Sequence, residues 1–360
     1  MNIFNPPLYF TYLSKHYVKN LLVILLGLSL AISVIDYFQQ MQKLQSLGSY
    51  QLFYIFYRWQ TALTTLYPLA IVFAVIMTKM MLVKHGNFVV LHAFGYSKRK
   101  LFRPFLFVAL STYLLFLGLH ATSFSYAKDR AEYLLQNKYD KYRVSDLFFK
   151  YNDAFVFIKT LDPAQKMIRD LTIFKVQNQQ VSYTIHAPVA TFNGEEWDAQ
   201  DVVLKTHVYK NGILEKYTQE FKPTMTTLQG YKPKIIESLY EGKSLSIIDA
   251  FYTLRLLFKQ SLNSNKIRAA LYSKVITPLF SIALLLILFF KLPFYARGIN
   301  ISTNVALALG VIVGTWGMLF GLQRIGYTGV VPPEFTSLLP VTLLMGYAIY
   351  VYRTQEKLHS

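Results

Sequence analysis

Apolar and charged positions segregate into long blocks along this chain, instead of mixing at the short spacing of an amphipathic soluble fold. Six runs carry no formally charged residue: Asn20–Ile35, Trp59–Thr78, Pro104–Ala127, Val275–Phe290, Gly298–Gln323 and Phe335–Tyr352. A helix needs about 20 mainly apolar residues to cross the hydrocarbon core of a bilayer. Four of the runs meet or nearly meet that length. The first and fourth reach it by adding Lys19 or Lys274, whose long stems let the ammonium snorkel to the interface. Six such runs cannot all be interior to one soluble core. The pattern predicts six membrane spans in a three-plus-three layout.

A charged region, Lys128 to Lys266, separates the third run from the fourth. It reads mainly as strands. Residues 153–161, 170–176, 181–192, 201–210 and 215–221 are rich in β-branched and aromatic residues with partial alternation. Turn signals divide them at Asp162-Pro163, Asn178-Gln179-Gln180, Asn193-Gly194 and Asn211-Gly212. Several short strands at this spacing predict an antiparallel sandwich or jelly roll. Two helical pieces are expected to frame it, Ser125–Tyr142 and Leu245–Leu262. In the second, Leu245, Ile248, Tyr252, Leu256 and Lys259 recur at helical spacing.

Lysine and arginine in short loops set the orientation of spans. With the N-terminus inside, the internal segments hold Lys15, Lys19, Lys84, Lys98, Arg99, Lys100, Arg103, Lys291, Arg297, Arg353 and Lys357. The short external loops hold only Lys43, Arg58 and Arg324. Both termini are therefore expected inside, and the region 128–266 outside. The first run starts late and leads into Asp36 and Tyr37 with no small-residue cleavage site, so it is expected to stay as an anchor.

Composition adds four observations. Residues are 53% hydrophobic and mean hydropathy is +0.31, which fits the spans. The 27 tyrosines and 28 phenylalanines suit interfacial belts and lipid-facing surface. The absence of cysteine excludes disulfides and thiol-ligated metals. A formal net charge of +18 admits nucleic-acid binding, but basic residues beside anionic headgroups account for it in a membrane protein.

The chain carries no catalytic constellation. It has no phosphate-binding glycine loop, no HExxH and no GxSxG. Its seven histidines are scattered; His85 and His92 are seven apart but have neither carboxylates nor a third ligand beside them. Glu195-Glu196 reads as a solvated turn. An ATP-driven activity therefore needs a separate ATPase subunit.

The loop between the second and third runs, 83-VKHGNFVVLHAFGYSKRK-100, is unusual in having an apolar centre between basic ends. Asn87 to Phe94 makes about two helical turns, with Gly86 before it and Gly95 placed as a C-cap. Phe88 and Leu91, with Phe94 and Val90 on the adjacent strip, form an apolar ridge. Such a helix fits a partner's groove, the surface of a bilayer or an ordinary connector.

Three segments resemble the LptF/LptG permeases, the membrane subunits of the ABC transporter that extracts lipopolysaccharide from the inner membrane of Gram-negative bacteria. Residues 89-VVLHAFGYSKRKL-101 are similar to the family's xVMxAxGxS segment between spans two and three. Residues 155-FVFIKTLDPAQKMIRDLTIFKV-176 with 197-WDAQDVVL-204 are similar to its external domain. Residues 272-YSKVITPL-279 with 321-GLQRIGYTGVVPPEFTSLLP-340 carry the most specific spacing. Tyr272-Ser273-Lys274 and Val331-Pro332-Pro333 look closer to LptG than to LptF.

The resemblance implies an integral membrane α-helical fold of six transmembrane helices with an inserted periplasmic antiparallel β-jellyroll. The expected divisions are 1–127, 128–266 and 267–360. It implies half of a two-subunit cavity, an LptF-like or LptG-like second permease subunit, an LptC-like periplasmic jellyroll partner and an LptB-like ATPase dimer that holds the ATP and Mg; this chain binds no cofactor. Segment 86–97 becomes a coupling helix that seats on the ATPase through Asn87, Phe88, Leu91, His92, Phe94 and Gly95. Asn87 stands where many members carry an acid. The lipid headgroup is assigned to Lys43, Lys128, Arg130, Lys274 and Arg324 through charge-assisted hydrogen bonds, with interfacial snorkelling as the alternative. Leu30, Phe38, Leu309, Trp316 and Phe320 are assigned to the cavity wall, with lipid exposure as the alternative. Competing readings are an anchored structural or signalling protein with a β sensor domain, and another lipid or lipoprotein permease.

Overall fold

A computed structural model describes residues 7–135, 144–151, 153–163, 165–177, 180–210, 213–233, 235–236, 244–259, 264–295 and 300–357. The chain divides into two compact units, Met1–Ala131 with Arg268–Ser360, and Glu132–Ile267. Of the expected features, the turn residues 178–179 and 211–212, helix residues 136–142 and 260–262, and Arg297 lie outside the described residues.

In the first unit, α1 (Leu8–Leu44) leads through a 3-10 segment to α2 (Gln51–Lys84), the short α3 (Asn87–Ala93), α4 (Lys98–Ala121) and the start of α5 (Ala127–Leu135). Its second half holds most of α7 (Asn265–Val275), then α8 (Phe280–Lys291), α9 (Ile301–Tyr327) and α10 (Leu339–Lys357). Among the described residues, six helical stretches are long and apolar enough to span a membrane: Leu8–Leu44, Gly48–Lys84, Lys98–Ala121, Asn265–Lys291, Ile301–Tyr327 and Glu334–Thr354. Each contains one of the six runs, or all but its ends. The first helix is longer than its run because Tyr9, Phe10, Leu13 and Tyr17 add a buried stripe ahead of Lys19.

The spans are unequally covered. In its most apolar window the second is 83% buried, whereas the first is 22% and the fifth 17% buried. The second span is therefore the centre of the unit, and the first and fifth present bare apolar flanks. Polar pins fix α1 on α2. Tyr17 donates to the Ile71 carbonyl at 2.9 Å, Asn20 to Thr78 Oγ1 at 2.8 Å and Trp59 Nε1 to Ser29 Oγ at 3.0 Å. Small polar pairs of this kind hold helices where lipid removes the hydrophobic drive between them. The fourth span is broken at Thr277–Leu279, a 3-10 turn around Pro278, which has no N–H to continue the helix. Neighbouring hydroxyls take up the nearby carbonyls: Tyr113 donates to Val275 at 2.8 Å and Ser281 to Pro278 at 2.7 Å.

The second unit holds β1 (Val144–Tyr151), β2 (Ala154–Asp162), β3 (Met167–Gln177), β4 (Gln180–Phe192), β5 (Trp197–Lys210) and β6 (Ile213–Thr227), then α6 (Ile247–Lys259). The six described strands pair antiparallel in chain order as one sheet. Strand β1 is additional to the five expected. Its Leu147-Phe148-Phe149 run breaks the alternation because both faces are used. Leu147 enters the core, while exposed Phe148 stacks on Phe155 at 5.7 Å. The core gathers Leu147, Val156, Ile158, Leu171, Trp197 and Val202, and Trp197 Nε1 donates to the Tyr231 carbonyl at 2.6 Å. Glu195 and Glu196 sit in a turn whose backbone N–H groups bond Asn193 Oδ1 at 3.1 and 2.9 Å, as a solvated turn requires.

Candidate functional site

The loop between α2 and α4 is a built structure. Gly86 adopts φ +70° ahead of α3, and Gly95 adopts φ +77° behind it. Gly95 N–H bonds the His92 carbonyl at 2.9 Å and Tyr96 N–H bonds that of Leu91 at 3.2 Å. This is a Schellman ending, and the left-handed backbone it needs explains the glycine at that position. His85 and His92 each place Nδ1 on the carbonyl four residues back, at 2.8 and 2.6 Å. A carbonyl only accepts, so each Nδ1 carries the proton.

The faces of α3 differ from the expected ridge in one respect. Phe88 points inward and is fully buried, with its ring edge-on to Phe294 at 5.3 Å and to Phe289 at 6.4 Å. It cannot contact a partner from that position. The reason lies far away in sequence, in the aromatic end of α8 that receives it. The outward apolar face is instead Val89, Val90 and Phe94, the last 75% exposed. Leu91 and His92 are half-buried, and His92 packs against Phe294 and Tyr295. Asn87 donates to the Tyr12 hydroxyl at 3.0 Å, which ties the start of α3 to α1.

Behind Phe88 lies a residue that run-by-run reading passes over. Lys79 ends the second uncharged run and is buried. Its ammonium donates to the carbonyls of Phe289 and, at 2.6 Å, Leu292. It also stands 3.8 Å from the Phe294 ring centroid. The last carbonyls of a helix have no partner within it, and a cation suits their negative end. Lys79 thus caps α8 from α2. Alongside, Arg99 donates to the Tyr352 carbonyl at 3.1 Å and covers the Tyr352 ring, fastening α4 to α10. Helix α3 therefore rests on a floor made from α2, α8 and the segment after α8.

The five cations assigned to a headgroup fall into different settings. Lys274 is taken up within the fold: its ammonium donates to Ser125 Oγ at 2.7 Å, and Ser125 in turn donates to the His120 carbonyl at 3.1 Å. Arg130 is exposed with its guanidinium 5.6 Å from the Tyr57 ring, and Arg324 lies over Phe320 at 5.1 Å. Lys43 and Lys128 are exposed. The five wall residues lie on the two least-covered spans. Leu30 and Phe38 on α1, and Leu309 and Phe320 on α9, are exposed, while half-buried Trp316 stacks on Phe320 at 5.7 Å.

The β unit has a cavity of about 300 Å³ lined from strands β1, β2, β3, β4 and β6 by Tyr151, Ile173, Lys175, Tyr183 and Met225 among others. Its outer strand β6 exposes Leu214, Tyr217 and Phe221.

Comparison with known proteins agrees with this arrangement. No curated protein matches the chain. The family described as lipopolysaccharide export system permease LptF/LptG matches residues 11–354. That stretch takes in all but a few residues of the six apolar helices and the whole β sheet inserted between the third and fourth, so this multi-pass membrane protein belongs to the LptF/LptG lipopolysaccharide export permease family.

Proposed function

We propose that this chain is one of two permease subunits of an ABC transporter that lifts lipopolysaccharide out of the Gram-negative inner membrane. The observation that carries the reading is the family match over residues 11–354. Both termini lie in the cytoplasm and residues 128–266 in the periplasm, following the bias of basic residues in the short loops. An LptB-like ATPase dimer holds ATP and Mg, and this chain binds no cofactor and no nucleic acid. The second permease subunit faces the bare flanks of α1 and α9, between which the acyl chains are held. Lys43, Lys128, Arg130 and Arg324 serve the phosphates of the headgroup, and Lys274 supports that surface through Ser125.

Force enters through α3. Its outward residues Val89, Val90 and Phe94 supply the apolar contact with the ATPase. When the ATPase dimer closes on ATP, α3 moves. Phe88 and the Lys79 cap carry the displacement into α2 and α8 together, because packed rings transmit shifts that a polar loop would absorb. The cavity narrows, and lipid passes to the β unit and on to an LptC-like jellyroll protein. Among the described strands β6 lies at the edge of the sheet, where such a partner can add a strand.

The test is reconstitution with an LptB-like ATPase and an LptF-like or LptG-like second subunit, scored as ATP-driven release of lipopolysaccharide. Val90→Arg with Phe94→Arg is expected to leave the permease folded and to abolish ATPase binding and release. Normal release by that variant would sink the coupling assignment.

A further inference from the structure

Helix α6 (Ile247–Lys259) has more apolar surface than its unit uses. Ala250, Thr253, Leu254 and Leu257 form the side packed into the fold. Ile248, Phe251 and Phe258 are each more than half exposed on the other side, together with Tyr252, Arg255 and Lys259. At 100° per residue these six fall within one sector of about 120°, and Ile248 to Phe258 covers about 15 Å of helix. Single exposed apolar residues need no explanation, but a contiguous stripe with large aromatics does.

The charges on α6 are segregated. Its acid, Asp249, is occupied at the helix start, where its carboxylate accepts from Ser246 Oγ at 2.8 Å and its N–H donates back to that oxygen at 3.0 Å. The outward sector carries only cations, Arg255 and Lys259. Nearby, the Lys232 ammonium lies 4.9 Å from the Tyr252 ring. Large apolar anchors, a tyrosine and flanking cations are what a helix lying in a bilayer interface requires.

Covalent connection limits where α6 can go. Five residues separate Lys259 from Asn265, the first residue of the fourth apolar span. Even fully extended, that link reaches only about 20 Å. We propose that α6 is an interfacial membrane helix that inserts Ile248, Phe251 and Phe258 among the acyl chains, with Arg255 and Lys259 on anionic headgroups of the bilayer that the chain spans. The occupant of this face is lipid, not protein. Such a contact holds α6 at the membrane surface, independently of any ATPase or lipopolysaccharide.

The lack of cysteine makes the test direct, because one introduced thiol is the only labelling site. Phe251→Cys, Phe258→Cys and, as a water-exposed reference on β6, Lys216→Cys are labelled with a fluorophore in the full chain. The proteins are placed in nanodiscs of phosphatidylcholine and phosphatidylglycerol brominated on the acyl chains. The proposal expects bromolipid to quench the two α6 labels at least about twofold more than the reference, and aqueous iodide to do the reverse, as for side chains buried about 5–10 Å below the headgroups. Quenching by iodide equal to the reference, or protection from both quenchers, overturns it; the first places the helix in water and the second against protein. Bromolipid quenching is also expected to fall when Arg255→Gln and Lys259→Gln are combined, or when phosphatidylglycerol is omitted. Quenching indifferent to both overturns the assignment of anionic headgroups. The measurement contains no ATPase and no lipopolysaccharide, so its result is separate from the transport reading.

Discussion

The ammonium of Lys79 stands 3.8 Å from the centre of the Phe294 ring while donating to two carbonyls at the end of α8. A lysine in the most deeply covered span of a membrane protein is expensive unless its three donors are matched. Here backbone carbonyls and an aromatic face supply the match. The same ring receives Phe88 from α3, so the cap and the short helix share one floor.

Lys79→Met keeps most of the volume and removes the donors. The carbonyls of Phe289 and Leu292 are then left without their cap among apolar rings, at a cost of about 1–3 kcal/mol. Relief from burying an ammonium works against that cost, but the carbonyls cannot leave the site and the loss wins. Thermal unfolding of the purified chain in detergent is expected to shift to lower temperature, with Lys79→Arg intermediate. An unchanged transition would show that the cap has no net value.

Two phenylalanines six residues apart, Phe88 in α3 and Phe94 at its C-terminal cap, should behave in opposite ways. Phe88→Ala empties a fully buried position and is expected to destabilise by about 3–5 kcal/mol. Phe94→Ala touches an exposed ring and should change stability by no more than about 0.5 kcal/mol. On the proposed coupling role, ATPase affinity is expected to fall roughly 30-fold, as for a contact anchor worth about 2 kcal/mol. Unfolding curves and a binding titration with the ATPase separate the two.

In the β unit, Trp197→Phe removes the donor that satisfies the Tyr231 carbonyl and trims a fully buried ring. A loss of about 1–3 kcal/mol is expected. Limited proteolysis of the full chain should then cut within residues 144–236 faster than in the parent protein, with the helical unit unaffected.

The exposed cations are open to a salt test. Arg130→Ala and Arg324→Ala are each expected to weaken retention of lipopolysaccharide by about 1 kcal/mol, roughly fivefold, with the effect fading as ionic strength rises. Lys274→Ala should behave differently, because its ammonium is held by Ser125. Its expected signature is a lower unfolding temperature at every salt concentration. Lipid carried through purification, quantified by mass spectrometry, reads the first effect.

The one-dimensional pattern carries the architecture. Run length decides whether a helix can cross a bilayer, because the transfer of apolar surface into lipid depends on local composition. For that reason all six spans were legible between residues 20 and 352, and the inserted β region was legible from its β-branched runs and its Asn-Gly and Asp-Pro breaks. The Gly95 helix end was legible too, because a left-handed turn selects its residue locally. Which way a side chain faces was decided elsewhere. Phe88 and Phe94 look alike along the chain, and only rings about 200 residues further on draw one inward and leave the other bare. Lys79 reads as the end of a run until the carbonyls of α8 arrive above it, and Lys274 reads as a free interfacial cation until Ser125 meets it. Strand β1 shows no period of two along the chain because large apolar residues stand on both of its faces. Burial and pairing are properties of the assembled fold, set by contacts between segments that the linear spacing of residues does not encode.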